Sequence, residues 1–294
     1  MPEELTLRVH GAAGLPVLIY LPGLHGDWTL IGGLRKALEG QVRFVEVTYP
    51  RTLTWTLEDY AEATEVALRT QGMEPGWLLG ESFGSQLVWP ILARRHFRVR
   101  GVILAGGFGR HPTPKTARVL SRVTARTPAS MMRLSLFCYE RLMRLRYRRS
   151  PEVLQHIGEF VARRTESDRQ AVAHRLHLLA RNDPSRLASF ASPPVYALTG
   201  FWDPIVPWFW ARKWLRRHCP NLKAYKIVCR ADHTVLATAP QVSAGLIVKW
   251  MTAGTELKRA AKVTAHGSGL SQPRSIQMKF QPAGTRIKDR AWRG

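Results

Sequence analysis

A serine stands between two glycines at residues 80–84, which read Gly-Glu-Ser-Phe-Gly directly after a short apolar run. This order is typical of a nucleophile elbow, the sharp strand-to-helix turn that lifts a serine hydroxyl above a sheet. We expect a strained backbone at Ser82 and no room for a Cβ at Gly80 or Gly84. Alone, the pattern also fits a helix N-cap that follows a glycine turn. The chemistry predicted here is nucleophilic attack by the Ser82 hydroxyl.

A serine nucleophile needs a base and an acid that orients the base, and the chain offers both after the elbow. Asp203 follows a predicted strand at 195–198, and His233 follows a predicted strand that ends near residue 228. The carboxyl ends of parallel strands meet at one edge of a sheet, so we expect both side chains beside Ser82. Read singly, the aspartate also fits a turn before proline, and the histidine is one of ten in the chain.

Three further residues lie near these motifs: one is an alternative acid, and two are predicted to line the pocket. Asp232 is a rival acid because it adjoins His233, but neighbouring side chains in an extended loop point apart. We therefore predict that Asp203 orients the imidazole. His25 precedes the serine in chain order, so we interpret it, together with Trp202, as a pocket-lining residue.

The oxyanion formed during attack needs two backbone donors. One is predicted to be the amide of Phe83, directly after the serine. The second is expected from residues 21–28, which read LPGLHGDW after a predicted strand. There Gly23 lets the backbone approach the serine, and the amide of Leu24 is the predicted donor. The same residues also fit an ordinary strand-to-helix turn with an Asp or Thr cap.

The elements that must position these residues alternate along the chain. Strand and helix patterns alternate up to residue 108, and the alternation resumes from 194 to 251. This order predicts an α/β fold in which helices cover both faces of a mostly parallel sheet. The predicted strands are 5–9, 15–21, 42–47, 77–80, 101–105, 194–199 and 222–228, and the predicted helices are 30–38, 57–68, 82–95, 208–217 and 240–251.

Residues 109–190 differ from this pattern, because they show helical spacings, few β-rich runs and many arginines. Apolar residues recur at three- and four-residue steps, at Met132, Leu136, Tyr139, Met143 and Tyr147. We predict a helical, arginine-rich cap inserted between two halves of the core, which span 1–108 and 191–254. A solvated basic helix packed on the sheet would give the same pattern. From 255 to 294 the composition predicts a basic, disordered tail.

The net charge of +23 is concentrated in the predicted cap and tail. Residues 110–149 carry eleven Arg or Lys and one acid, and residues 256–294 carry nine and two. Since no nucleic-acid-binding motif is present, we expect no specific nucleic-acid partner. We expect instead a weak association of the cap and tail with an anionic membrane surface or an acidic carrier.

Several classes of protein are excluded by composition. A chain of 294 residues suffices for one large α/β domain with an insertion. No apolar run reaches the ~18 residues of a membrane span, and the acidic start does not resemble a signal peptide. The three cysteines lack metal-site spacing, so we interpret them as buried thiols in a reducing, cytoplasmic compartment.

Taken together, the four motifs resemble those of the α/β-hydrolase superfamily, over about residues 15–108 and 193–251. LPGLHGDW and GESFGS look like the segments of small bacterial esterase-like proteins with an LPGxxG oxyanion loop and a GESF elbow. One departure is Pro22-Gly23, where the family usually has His-Gly. The resemblance implies an α/β-hydrolase fold with a helical cap, and no metal ion or organic cofactor.

For function, the resemblance implies carboxylic-ester hydrolysis of a small-molecule substrate, with Ser82 as nucleophile, His233 as base and Asp203 as acid. A thioesterase or acyltransferase is the alternative, since an arginine-rich cap suits a phosphate-bearing acyl carrier such as CoA or an acidic carrier protein. A non-catalytic basic binding module is a third reading, and a complete Ser, Asp and His set argues against it.

Overall fold

The computed structural model describes residues 4–148 and 151–267, and its centre is a seven-stranded sheet. The strands in chain order are β1 Thr6–His10, β2 Val17–Leu21, β3 Arg43–Thr48, β4 Gly76–Glu81, β5 Val99–Ala105, β6 Val195–Gly200 and β7 Leu222–Val228. They lie in the order β1-β3-β2-β4-β5-β6-β7. Only β1 is antiparallel to its neighbour within this sheet. The predicted α/β architecture is confirmed.

Helices connect most of these strands, and two more follow β7. In chain order they are α1 Gly32–Ala37, α2 Leu57–Thr70, α3 Gly84–Arg94, α4 Pro114–Arg126, α5 Ala129–Arg146, α6 Pro151–Ala162, α7 Glu166–Arg181, α8 Ser185–Ser189, α9 Trp208–His218, α10 Val235–Thr238 and α11 Pro240–Gly267. In the described part of the chain, no helix is long and apolar enough to cross a membrane.

The central strands are apolar because both faces of the sheet are covered. Every residue of β4 is buried, as expected for a parallel strand between two helical layers. Since side chains alternate along a strand, Leu78 belongs to the core cluster that includes Leu87 of α3. Leu79 belongs to the opposite cluster, with Leu34 of α1.

Five helices, α4–α8, lie between β5 and β6, and we call them the inserted helices. α4 packs on α7, where the Ser121 hydroxyl donates to the Ala173 carbonyl at 2.8 Å. α5 lies against α6, with the rings of Tyr139 and Phe160 6.1 Å apart. The apolar stripe predicted for α5, Met132, Leu136, Tyr139, Met143 and Tyr147, is the half-buried side of this helix.

All five predicted helices are present with boundaries that differ from the predicted ones, and two of these differences have a clear physical reason. α3 begins at Gly84 rather than Ser82, because the positive φ of Ser82 lies outside the helical region. α11 continues to Gly267, past its predicted end at 251 and past the predicted start of the tail at 255. Residues 256–263 contain Ala, Leu, Lys, Arg and Glu, which favour helix, and this local preference was underestimated.

The chain separates into two units. One compact unit ends at Thr255, and the second begins at Glu256. Residues 268–294 of the predicted tail lie outside the described residues.

The prediction that all three cysteines are buried is wrong. All three are free thiols, but only Cys219 is buried, whereas Cys138 and Cys229 are exposed. Cys138 lies on the outward side of α5, and Cys229 follows the last residue of β7. Position in the element therefore overrides the usual preference of cysteine for the interior.

Candidate active site

Ser82 lies in a sharp turn between β4 and α3. Its φ is +49°, a left-handed conformation that a residue with a side chain adopts only at a cost. The chain is also too tight for side chains on either side of it. A Cβ on Gly80 would lie 2.9 Å from the Cα of Ser85, and one on Gly84 would overlap the carbonyl of Leu21. Both positions therefore require glycine.

A continuous line of hydrogen bonds runs from this serine to a buried carboxylate. Ser82 Oγ lies 2.8 Å from His233 Nε2, and His233 Nδ1 lies 2.8 Å from Asp203 Oδ2. With a proton on Nδ1 donating to Asp203, Nε2 is free to accept the proton of the serine hydroxyl. The structure thus brings together three side chains that lie 30 and 151 positions apart in the sequence.

The turn after β6 holds Asp203 in place. Its Oδ1 accepts hydrogen bonds from the amides of Ile205 at 2.9 Å and Val206 at 2.8 Å. Its Oδ2 faces the imidazole, and the whole side chain is shielded from solvent. Each carboxylate oxygen therefore has a separate partner, and the carboxylate cannot rotate without losing a hydrogen bond.

The rival acid, Asp232, points elsewhere. Its Oδ1 accepts from the amide and hydroxyl of Thr234, at 3.0 and 2.9 Å. Its Oδ2 accepts from the hydroxyl of Tyr147 at 2.9 Å and lies 3.7 Å from Arg146. Asp232 therefore connects the turn that carries His233 to the C-terminal end of α5.

Gly23, which precedes the predicted oxyanion donor Leu24, lies next to the serine. The carbonyl of Gly23 accepts from the amide of Gly26 at 3.0 Å, and in a trans peptide the amide of Leu24 then points the opposite way. Gly23 borders the nucleophile, because a Cβ added there would lie 3.5 Å from the Cβ of Ser82. Within residues 4–148 and 151–267, neither the Leu24 nor the Phe83 amide donates a hydrogen bond to the protein. Both amides therefore remain candidates for the predicted oxyanion donors.

An arginine that the sequence analysis missed holds this loop from the inserted helices. Arg175 of α7 is 1 % exposed, and its guanidinium donates to the carbonyls of Leu24 and Pro50, both at 2.8 Å. The guanidinium also lies 5.4 Å from the ring centre of Tyr49, in cation–π range. The sequence does carry one indication that Arg175 is buried. It lies four residues before Leu179, so the two side chains share the buried face of α7.

A second arginine fixes the far end of the same loop. Arg164 forms an ion pair with Asp27, whose Oδ1 also accepts from the Thr29 amide at 3.1 Å. Burial opposes ionisation of Asp27, but the charge and hydrogen bonds of Arg164 and Thr29 outweigh it and lower the pKa of the carboxyl. Asp27 does not cap α1, because that helix begins only at Gly32.

The two predicted pocket-lining residues are both exposed. His25 packs edge-on against Phe160 of α6 at 4.5 Å, and the surrounding protein atoms, with Arg164, lower its pKa to about 4. Trp202 is 63 % exposed, and its ring lies 5.3 Å from that of Phe201. His25 therefore contacts the inserted helices, and a pocket-lining role for His25 or Trp202 stays a prediction.

A buried acid directly precedes Ser82. Glu81 accepts a hydrogen bond from the Tyr20 hydroxyl, and burial raises the pKa of its carboxyl despite that bond and the nearby His233. This pair was missed because the second residue of a G-x-S-x-G pattern carries no fixed type. Among the described residues, no group of three or more His, Cys, Asp or Glu side chains could hold a metal ion.

Several solved structures share this architecture. An esterase from Thermogutta terrifontis is 21 % identical, with a TM-score of 0.66 over 85 % of this chain and 93 % of its own. An enol-lactonase from Burkholderia xenovorans is 16 % identical, with a TM-score of 0.70 over 84 % and 96 %. An α/β hydrolase from a Medee basin deep-sea metagenome is 12 % identical, with a TM-score of 0.66 over 86 % and 95 %.

No family model and no curated protein matches the sequence. The likeness is therefore one of fold, and the chain has the α/β-hydrolase fold that its motifs predicted.

Proposed function

We propose that the protein is a serine hydrolase that cleaves a carboxylic ester through an acyl-enzyme. The observation that carries this proposal is the hydrogen-bond line from Ser82 through His233 to Asp203, with both distances at 2.8 Å. Such a line makes a weakly acidic hydroxyl nucleophilic because the base accepts its proton as the new bond forms. The strained turn at Ser82 adds support, since it keeps the hydroxyl clear of the backbone.

In the first half-reaction, Ser82 Oγ attacks the ester carbonyl carbon and its proton passes to His233 Nε2. The carbonyl oxygen becomes an oxyanion, which the amides of Leu24 and Phe83 are positioned to bind. When the bond from carbon to the alcohol oxygen breaks, His233 returns the proton to the departing alcohol. Asp203 stabilises the imidazolium throughout without accepting a proton itself.

In the second half-reaction, water replaces the alcohol. His233 accepts a proton from the water as its oxygen attacks the acyl carbon, and a second oxyanion forms in the same place. Collapse of this intermediate breaks the bond to Ser82 Oγ, which regains its proton from the imidazolium. The products are a carboxylic acid and an alcohol, and neither half requires a metal ion or organic cofactor.

The compared structures favour the same chemistry. They include an esterase and an enol-lactonase, and a lactone is a cyclic ester. Their likeness to this chain is one of fold, so the choice of an ester as substrate rests on the site itself.

The test is active-site labelling with a fluorophosphonate, which reacts with activated serines, followed by turnover of a panel of short-chain to long-chain esters. We expect one label on the intact protein, on Ser82, and none on Ser82→Ala. Ser135→Ala serves as the matched control, since Ser135 lies on the exposed side of α5. Labelling that persists in Ser82→Ala would show that another residue is the nucleophile.

A thioesterase or acyltransferase is the second candidate, favoured by the eleven basic residues within 110–149. Matched acyl esters and acyl-CoA thioesters of equal chain length separate these functions. An acyltransferase would in addition release less free acid when an alcohol is supplied. A preference for the ester and release of free acid would support hydrolysis.

The setting of the reaction is part of the same proposal. We propose a small-molecule ester or acyl substrate and a reducing, cytoplasmic location, in keeping with the free thiols of Cys138, Cys219 and Cys229. The net charge of +23 favours association with an anionic membrane or an acidic carrier protein.

A further inference from the structure

Helix α5 carries a second apolar stripe that faces away from the protein. Its members recur at three- and four-residue steps and therefore share one side of the helix: Met131, Leu134, Cys138, Leu142 and Leu145. The four largest are between 59 and 69 % exposed. We call these five residues the outer stripe, to distinguish them from the half-buried stripe on the other side of α5.

Helix α4 exposes apolar side chains in the same way. Val119, Leu120 and Val123 are between 50 and 57 % exposed, while Ala117 and Ser121 are buried on the side that packs on α7. Single exposed apolar residues are common on protein surfaces. A contiguous row of them along one side of a helix, as in the outer stripe of α5, indicates an interaction site.

Arginines accompany both sets of apolar residues. All of the following are exposed: Arg118, Arg122 and Arg126 on α4, and Arg133, Arg141, Arg144 and Arg148 on or just after α5. The one acid in residues 110–149 is Glu140, which is already paired with Arg144 at 2.7 Å. The two helices therefore combine exposed apolar surface with a large excess of positive charge.

This combination selects the kind of partner. A second copy of the chain would bring two strongly positive surfaces together, which is unfavourable. A nucleic acid would neutralise the arginines but would leave the leucines in contact with water. An anionic bilayer satisfies both, because its head groups attract arginines and its interfacial region accepts apolar side chains. We propose that α4 and α5 form a docking surface for an anionic lipid bilayer.

The end of α5 adjoins the candidate active site. Tyr147 donates to Asp232 at 2.9 Å, and Asp232 precedes His233 in the same turn. A bilayer bound along α5 would therefore lie near the site and could supply an ester dissolved in the membrane. Docking itself does not depend on hydrolysis, whereas this use of it rests on the proposed function.

The test measures vesicle binding by the full chain with Ser82→Ala, so that turnover plays no part. Sedimentation is compared for vesicles of pure phosphatidylcholine and vesicles with about one-third phosphatidylglycerol. We expect binding to the anionic vesicles and little to the neutral ones. Binding should weaken as salt rises from about 0.1 M to about 1 M, because the Debye length falls from about 10 to about 3 Å.

Two double variants locate the surface. Leu142→Ser with Leu145→Ser is expected to lower the partition coefficient at least about tenfold, because two apolar side chains no longer enter the interface. Val66→Ser is the control, since Val66 is exposed on α2. Arg141→Gln with Arg148→Gln is expected to cause a loss of about 25-fold, roughly fivefold for each charge.

Arg69→Gln with Arg217→Gln is the matched control for charge, because it removes two exposed arginines from α2 and α9. A loss equal to that of the Arg141 and Arg148 pair would show that overall charge, not this face, drives binding. Unchanged binding by the leucine variant would also overturn the proposal. So would a wild-type dimer, seen in sedimentation velocity, that the leucine variant converts to monomer. Failure in any of these ways leaves the proposed hydrolysis standing.

Discussion

At the scale of residues, the two aspartates near His233 are each held by their own set of hydrogen-bond partners. Asp203 divides its two oxygens between the backbone and His233, and Asp232 divides its own between Thr234 and Tyr147. The two acids are 29 positions apart in sequence and close to the same histidine, yet their hydrogen bonds assign them to different tasks.

This division makes the two aspartates experimentally separable. We expect Asp203→Asn to lower kcat by about 10³- to 10⁴-fold, because an amide favours the wrong histidine tautomer. Asp232→Asn should lower kcat by less than about tenfold, since its contacts support only the turn and α5. Steady-state kinetics on one short-chain ester measures both. An active Asp203→Asn enzyme beside an inactive Asp232→Asn enzyme would reverse the assignment.

Arg175 is predicted to act as a positioning residue for the oxyanion loop. Arg175→Gln leaves the buried carbonyls of Leu24 and Pro50 without their donor, so we expect kcat to fall about tenfold or more while KM changes less than about threefold. Arg175→Lys, which keeps one donor, should recover part of kcat. Arg169→Gln on the same helix is the control. Equal losses in all three variants, or a change in KM alone, would contradict this role.

At the scale of elements, one side of α5 packs against the protein and the other is exposed. A matched pair of substitutions tests the roles of the two sides. Leu136→Asp places a charge in the half-buried stripe, so we expect a loss of roughly 2 kcal/mol in unfolding free energy and reduced turnover of a small ester. Leu134→Asp lies on the outer stripe and should spare both. Chemical denaturation and ester kinetics are the measurements. If Leu136→Asp leaves both unchanged, α5 does not support the site.

The residues of the candidate site differ in how far the sequence alone can predict them. Ser82, Asp203 and His233 were expected to lie together because each follows a β-rich run, and a parallel sheet brings the turns after its strands to one edge. The structure places the side chain of His233 within hydrogen-bond distance of both Ser82 and Asp203. Arg175 and Leu24 meet across 151 positions, and no local pattern of either segment specifies that contact. The Tyr147–Asp232 bond is missed for the same reason. Local sequence motifs therefore predict the residues of the candidate site. The residues that hold them in place cannot be predicted in this way, because their contacts depend on how the inserted helices pack.

At the scale of the whole molecule, charge has two distinct consequences. Most of the excess positive charge lies in residues 109–190 and 255–294, so we expect attraction to an anionic partner there. The histidines affect stability instead. The pKa values of His25, His111 and His177 are all lowered, first because surrounding protein atoms displace water from the imidazoles, and Arg164 further lowers that of His25 to about 4.

Lowered histidine pKa values predict acid sensitivity. Below pH 6.5 the unfolded chain binds protons that the folded chain resists, so stability should fall as pH drops from about 6.5 towards 4. His25→Asn should make the stability less dependent on pH. The change should be smaller than for a fully buried histidine, because His25 is exposed to water. Thermal unfolding from pH 7.5 to 4.5 measures it. An identical pH dependence in wild type and His25→Asn would contradict the effect.

The central claim is that Ser82 and His233 act together as nucleophile and base. The most direct measurement is kcat/KM of Ser82→Ala, His233→Ala and the double variant on an ester that the wild type cleaves. We predict a loss of about 10³-fold or more in each single variant and almost no further loss in the double variant, because the two residues work as one unit. Wild-type activity in Ser82→Ala, or fully multiplicative losses in the double variant, would contradict the claim.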